Sequence, residues 1–134
     1  MNKASLLLAA AASLLAAPAI ADGHGHSSGE EKLAKALEGR TAGEPVSCIK
    51  LQSSSQSRII DQTAIIYGSG NTIYVNRPAN PQSLHSGDVL VTDLGGMQQL
   101  CSTDIVHIRA QGDLGAHLGT LSLGDFVPYT RNKN

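Results

Sequence analysis

The sequence predicts a small, mainly β domain, folded as an antiparallel barrel or sandwich of about six or seven short strands. Three observations support this fold class. Short runs rich in β-branched residues recur along the chain, clusters of glycine, proline and asparagine separate them, and only one segment carries helix signals. We therefore expect one short N-terminal helix and no other.

The first 21 residues predict export. Lys3 precedes an uninterrupted apolar stretch, and the small-x-small sequence Ala19-Ile20-Ala21 follows it, which is the pattern of a cleaved secretory signal peptide. Cleavage after Ala21 leaves a chain with no transmembrane anchor, and its expected location is the periplasm or the outside of the cell.

Composition disfavours two classes of binding protein. Removing Lys3 from the ten basic residues leaves nine against eleven acidic residues, and no basic block stands out. The chain has three tyrosines, one phenylalanine and no tryptophan. Nucleic-acid binding requires a basic face with stacking rings, so this class is excluded as a partner, and aromatic sugar platforms are disfavoured.

The two cysteines, Cys48 and Cys101, predict a disulfide. An even pair in an oxidising compartment is usually bonded. The alternatives are a metal site, which would need clustered ligands, and a redox pair, which usually has the Cys-x-x-Cys spacing.

The N-terminal part of the mature chain divides into a tail and a helix. Residues 22–29 are glycine, histidine and serine after Asp22, a composition that predicts a flexible tail. Ser28 and Glu31 then form a capping-box pattern, so we expect a short helix over residues 30–39 that stops at Gly39.

Residues 44–134 form the predicted disulfide-tied β-domain. AIIY (64–67) and TIYVN (72–76) flank a GSGN turn and should pair as an antiparallel hairpin. Alternation fails across Asp61, which suggests a bulge or kink there. The polar stretch 52–57 should be a loop, and the cysteines should tie the first strand to a later one. The run 58–61 belongs to the same stretch as AIIY, on the other side of this break, and the other expected strands are 46–51, 89–92, 98–101, 104–109 and 118–129.

Five segments of this domain carry a resemblance. PVSCI, SRIIDQTAIIY, TIYVNRP, LCSTDIV and LGDFVPY, in this order, resemble a family of small exported bacterial proteins known only as a domain of unknown function. The resemblance covers roughly Glu44 to Tyr129. It implies a small exported protein, and it brings no activity, substrate or catalytic residue.

Arg58, Asp61 and Arg77 are the candidate binding residues of the central hairpin region. They stand near the ends of its apolar runs. Two interpretations fit them: ion pairs on the rim of a sheet, and a groove for a ligand.

Histidines give two further candidates for chemistry. If Val106 and Ile108 face the core, His107 points outward, and it forms a metal site with His85 and His117 only if the fold gathers them. The mature N-terminus offers a more specific pattern, because a free amine, two amides and the imidazole of His24 can bind Cu(II) or Ni(II) in a plane. The residues of this tail site are Asp22, Gly23, His24 and His26.

These observations favour an exported, non-enzymatic β-domain that acts as a binding or structural module in the cell envelope. Its partner would be a protein, an envelope component or a small ligand, and it requires no cofactor. No G-x-S-x-G elbow points to hydrolytic chemistry. The alternative function is metal handling, with Cu(II) or Ni(II) at the N-terminal tail.

Overall fold

A computed structural model describes residues 28–112 and 115–133 of the chain. Strand residues account for 43% and helical residues for 14%, which confirms the mainly β fold class. Helix α1 spans Gly29–Ala36, the helical turn α2 spans Leu51–Ser54, and a 3-10 helix covers Pro81–Ser83. The strands are β1 (Arg40–Ala42), β2 (Cys48–Lys50), β3 (Ser57–Ile60), β4 (Ala64–Tyr67), β5 (Thr72–Asn76), β6 (Val89–Thr92), β7 (Gln99–Cys101), β8 (Ile105–Arg109), β9 (His117–Ser122) and β10 (Phe126–Arg131).

The strands form three antiparallel sheets. The central sheet has the order β1-β10-β5-β4-β3, a second has the order β6-β8-β9, and β2 pairs with β7. Because β1 and β3 are free edges, the central sheet does not close on itself. The architecture is therefore sandwich-like, and the barrel alternative is excluded.

The central sheet buries side chains on both of its faces. Alternate residues of a strand point to opposite sides, so β4 supplies Ile66 to one face and Ile65 to the other. Helix α1 covers the first face through Leu33, and the two smaller sheets cover the second. The buried residues under α1 are Ile60, Ala64, Ile66, Ile73 and Val75, and those of the second face are Ile49, Ile65, Tyr67, Leu84, Leu100, Val106, Ile108, Leu121, Leu123 and Phe126.

The start of α1 follows the predicted capping box. The Ser28 hydroxyl accepts the Glu31 backbone N–H at 3.2 Å, and the Glu31 carboxylate accepts the Ser28 backbone N–H at 3.0 Å. The helix begins at Gly29 and ends at Ala36, so it is shorter than predicted. Gly39, with φ of +70°, reverses the chain three residues later.

The predicted disulfide and hairpin are both confirmed. Cys48 and Cys101 are bonded and stand directly opposite each other in the β2–β7 pair. Strands β4 and β5 pair antiparallel with Tyr67 opposite Tyr74, and Gly68 and Gly70 take left-handed φ values of +85° and +82° in the turn between them. Glycine is suited to this turn because L-residues with a side chain rarely adopt that conformation.

Several predicted elements need correction. The break at Asp61 is a reverse turn rather than a bulge, since β3 and β4 fold back on each other with Ile60 opposite Ala64. Residues 51–54 form α2, where a loop was expected, and 118–129 is divided into β9 and β10. Strand β1 was not predicted; it pairs with β10 at the edge of the central sheet.

Candidate functional site

Asp61 connects three elements at one end of the central sheet. Its Oδ1 accepts the backbone N–H of Ser86 at 2.6 Å, and its Oδ2 lies 3.7 Å from Nζ of Lys32 in α1. The hydrogen bond from Ser86 is the main reason that the pKa of Asp61 is lowered; burial opposes this shift and Lys32 adds to it. Asp61 thus joins the loop before β6 and helix α1 to the β3–β4 turn.

Arg77, which follows β5, also binds α1. Its two terminal nitrogens donate to Oε1 and Oε2 of Glu30 at 2.6 and 2.9 Å, a bidentate pair at the surface. The hydrogen bonds lower the pKa of Glu30 and raise that of Arg77. Asp61 and Arg77 are therefore each paired with an opposite charge on α1, which fits the interpretation as ion pairs on the rim of the sheet.

Arg58 lies apart from Asp61 and Arg77. It lines a groove of about 360 Å³ beside the last turn of α1, together with Arg40, Ile73 and the glycine turn 68–70. Arg40 already donates to the carbonyl oxygens of Gly70 and Asn71, each at 2.8 Å. The three predicted residues thus do not converge on one groove.

The β6-β8-β9 sheet has one side turned away from the core, which we call the outer face, and this side carries exposed aliphatic residues. Val106 and Ile108 of β8 are buried on the inner side, so His107 and Arg109 point outward. His107 lies opposite Val91 of β6, and Arg109 lies opposite Val89. Strand β9 adds Thr120 and Ser122 to the same face by its register with β8. Exposed fractions are high for its large aliphatic residues: Val89 42%, Val91 38%, Ile105 58% and Leu118 57%.

A bulge in β9 brings two histidines together on the outer face. His107 pairs with Thr120 and Ile108 with Gly119, but Arg109 pairs with His117, so Leu118 is an extra residue. One extra residue reverses the alternation, and His117 points outward instead of toward the core. Nδ1 of His107 and Nε2 of His117 then lie 3.3 Å apart, with ring centroids separated by 5.5 Å.

The third described histidine stays apart from this pair. Nδ1 of His85 lies 3.6 Å from the Asp88 carboxylate in the loop before β6. Within residues 28–112 and 115–133, no group of three or more histidine, cysteine, aspartate or glutamate side chains could hold a metal ion. The predicted tail site of Asp22, Gly23, His24 and His26 lies outside the described residues.

Sequence patterns alone did not reveal the histidine pair. His107 and His117 are ten positions apart, and simple alternation back from the outward-facing Thr120 would turn His117 to the opposite side. The glycine residues around His117 signal irregular backbone, yet they do not specify a bulge or its position. The aliphatic outer face was likewise hidden, because isoleucine and valine in short strands read as core.

No protein-family profile, curated protein or solved structure matches this chain. Among the described residues, no helix has the length and apolar character needed to cross a membrane.

Proposed function

We propose that the chain is an exported, non-enzymatic binding module whose contact surface for a partner protein is the outer face. The observation that carries this proposal is the concentration of exposed aliphatic side chains there. Six large hydrophobic residues are exposed in the described part of the chain, and four of them belong to the β6-β8-β9 sheet. A concentration of exposed apolar side chains on one sheet is typical of protein interaction sites.

The arrangement of polar residues suits a binding surface. At the outer face, His107, Arg109, Thr120 and Ser122 are interspersed with Val89, Val91 and Ile105. Protein interfaces combine apolar contacts with directional polar groups in this way.

The covalent bond supports the exported location. A disulfide between Cys48 and Cys101 persists in an oxidising compartment and is rare in a reducing one. The apolar N-terminal sequence ending at Ala21 provides the corresponding signal for export.

Site-specific photo-crosslinking in the producing cell tests the binding surface. A photoreactive amino acid replaces Ile105 on the outer face or, as the matched control, Met97, which is similarly exposed (56%) but lies outside that sheet. We expect one discrete crosslinked species from position 105, none from position 97, and loss of that species when Val91→Asp is added. Equal crosslinking from both positions, or none from position 105, would contradict the proposal.

Metal handling by the N-terminal tail is the alternative function. The sequence Asp22-Gly23-His24 supports it, provided that cleavage after Ala21 exposes the amine. Such a terminus prefers Cu(II) or Ni(II) because its four nitrogens form a plane. The alternative would be favoured if removing the tail abolished the biological effect while outer-face variants retained it.

A further inference from the structure

We infer that His107 and His117 form a Zn(II)-binding site on the outer face, separate from the N-terminal tail and independent of any protein partner. Imidazole is a preferred ligand for zinc, and two imidazoles held side by side on adjacent strands chelate better than one.

The 3.3 Å between Nδ1 of His107 and Nε2 of His117 matches tetrahedral coordination. Two nitrogens at zinc bond lengths of about 2.0–2.1 Å and a tetrahedral angle stand about 3.3–3.4 Å apart. In a square plane the same bonds would place neighbouring nitrogens closer, at about 2.9 Å. This distance thus fits a tetrahedral ion such as Zn(II) better than a square-planar one, in contrast to the planar preference of the tail.

The backbone places the two histidines side by side on adjacent strands before any metal binds. His107 lies in the middle of β8, which is hydrogen-bonded to β6 on one side and β9 on the other. His117 is held by its register with Arg109 on the other side of the bulge. Because strand backbone fixes the main-chain positions of both ligands, only side-chain entropy remains to be lost on binding.

The positive charge of Arg109, opposite His117, is held away from the two rings by a hydrogen bond. Arg109, opposite His117, would repel a cation, but its Nη1 donates to the Gly115 carbonyl oxygen at 3.0 Å, which directs the guanidinium into the β8–β9 turn. In the ligand-free pair one imidazole N–H faces the other ring. Zinc requires both facing nitrogens without a proton, so that proton moves to the far nitrogen of its ring, and water fills the remaining coordination positions.

The experiment uses the mature chain carrying His24→Ala and His26→Ala, so that the tail contributes no imidazole. Isothermal titration with ZnCl₂ measures affinity, and ¹⁵N spectra of the imidazoles identify the ligands. We expect one zinc per chain, with shifts at His107 and His117 but not at His85. Replacing one ligand, as in His117→Ala, should weaken binding by about tenfold or more, since even outer-shell changes reach that size.

His85→Ala is the matched control, because His85 is also exposed but pairs with Asp88 in another loop. It should bind zinc as tightly as the parent chain. The inference is overturned if His117→Ala binds zinc with unchanged affinity, if the shifts occur at His85, or if no zinc binds. These measurements need only purified protein, so their outcome is independent of whether the outer face binds a partner.

Discussion

Asn76 and Gly124 exchange two hydrogen bonds in the interior of the protein. The Asn76 side chain is fully buried; its Nδ2 donates to the Gly124 carbonyl oxygen at 2.6 Å, and its Oδ1 accepts the Gly124 N–H at 3.0 Å. A Cβ atom on Gly124 would stand 2.6 Å from the carbonyl oxygen of Arg77, which is too close. The contact therefore specifies asparagine on one side and glycine on the other, and it fixes the chain as it enters β10.

Asn76→Asp should destabilise the protein strongly at neutral pH. An ionised aspartate has no donor for the Gly124 carbonyl, and an unsatisfied buried group costs about 1–3 kcal/mol, more when it is charged. Burial raises the pKa of the new carboxyl in the folded state above its value in the unfolded chain. The free energy of unfolding of the variant is therefore highest below the unfolded-state pKa and decreases as the pH rises through the folded-state pKa. Urea unfolding across pH measures this trend.

Asn80→Asp is the control for that experiment, because the Nδ2 of Asn80 donates to the Thr120 carbonyl oxygen at 2.9 Å in an exposed position. Water replaces the lost donor there, and the loss of stability should be smaller. Equal losses in the two variants at neutral pH would show that burial of the Asn76 contact is unimportant.

Glu30→Gln should weaken the attachment of α1 to the sheet. The change removes the charge that faces Arg77, so the melting temperature should fall slightly at neutral pH. Arg77 lowers the folded-state pKa of Glu30, so the contribution is present above the unfolded pKa and is lost as pH falls through the folded value. Wild type and variant should therefore converge in acid, and also in high salt. Glu44→Gln, on an exposed residue before β2, serves as the control.

Ile66→Asp should prevent folding. Ile66 is buried under α1, so an aspartate there would replace apolar packing with a charge that loses its contact with water. Ile105→Asp makes the same chemical change on the outer face and should leave the melting temperature nearly unchanged. Circular dichroism distinguishes them; a well-folded Ile66→Asp protein would disprove the assignment of this core.

Loss of the disulfide should reduce the free energy of unfolding. The bond closes a loop with a sequence separation of 53, and the chain-entropy model gives about 4 kcal/mol for a loop of this size. Cys48→Ala combined with Cys101→Ala should show this decrease in urea unfolding. A reductant should lower the stability of wild type to a similar value and leave the double variant unchanged; any other pattern would mean that the bond contributes little.

Copper binding by the tail depends on processing. His24→Ala should abolish tight Cu(II) binding, and His26→Ala should only weaken it, because the planar chelate uses the third residue. The affinity for Cu(II) should decrease as the pH decreases, since binding displaces protons from two amides. Mass spectrometry of the secreted chain comes first: a mature N-terminus other than Asp22 removes the site.

Local signals predicted the local parts of the fold. The capping box at Ser28, the glycine turn after Tyr67 and the cysteine pair are each specified within a few residues or by elimination, and the structure confirms them. The reverse turn after Ile60 was missed because Gln62 occupies its left-handed position, with φ of +51°, and glutamine carries no turn signal.

Features that depend on distant partners were not predictable. Arg40–Ala42 has little β propensity and becomes a strand because β10 offers an edge to pair with. The histidine pair depends on where β9 carries its extra residue, and the anchoring role of Asp61 and Arg77 depends on where α1 lies. The sequence pattern identified these side chains as candidate binding or metal-ligating residues, but it did not show which residues they contact.

The order of strands in the central sheet has a consequence for how the chain folds. Strand β10 sits between β1 and β5, and contacts such as that of Arg40 with the Tyr129 carbonyl join residues 89 positions apart. During synthesis the N-terminal part emerges first, so β1 has no neighbouring strand until β10 has left the ribosome. Sheets dominated by such distant pairings fold slowly. A chain that lacks β10 thus leaves the edge of β5 uncovered and gives β1 no strand to pair with.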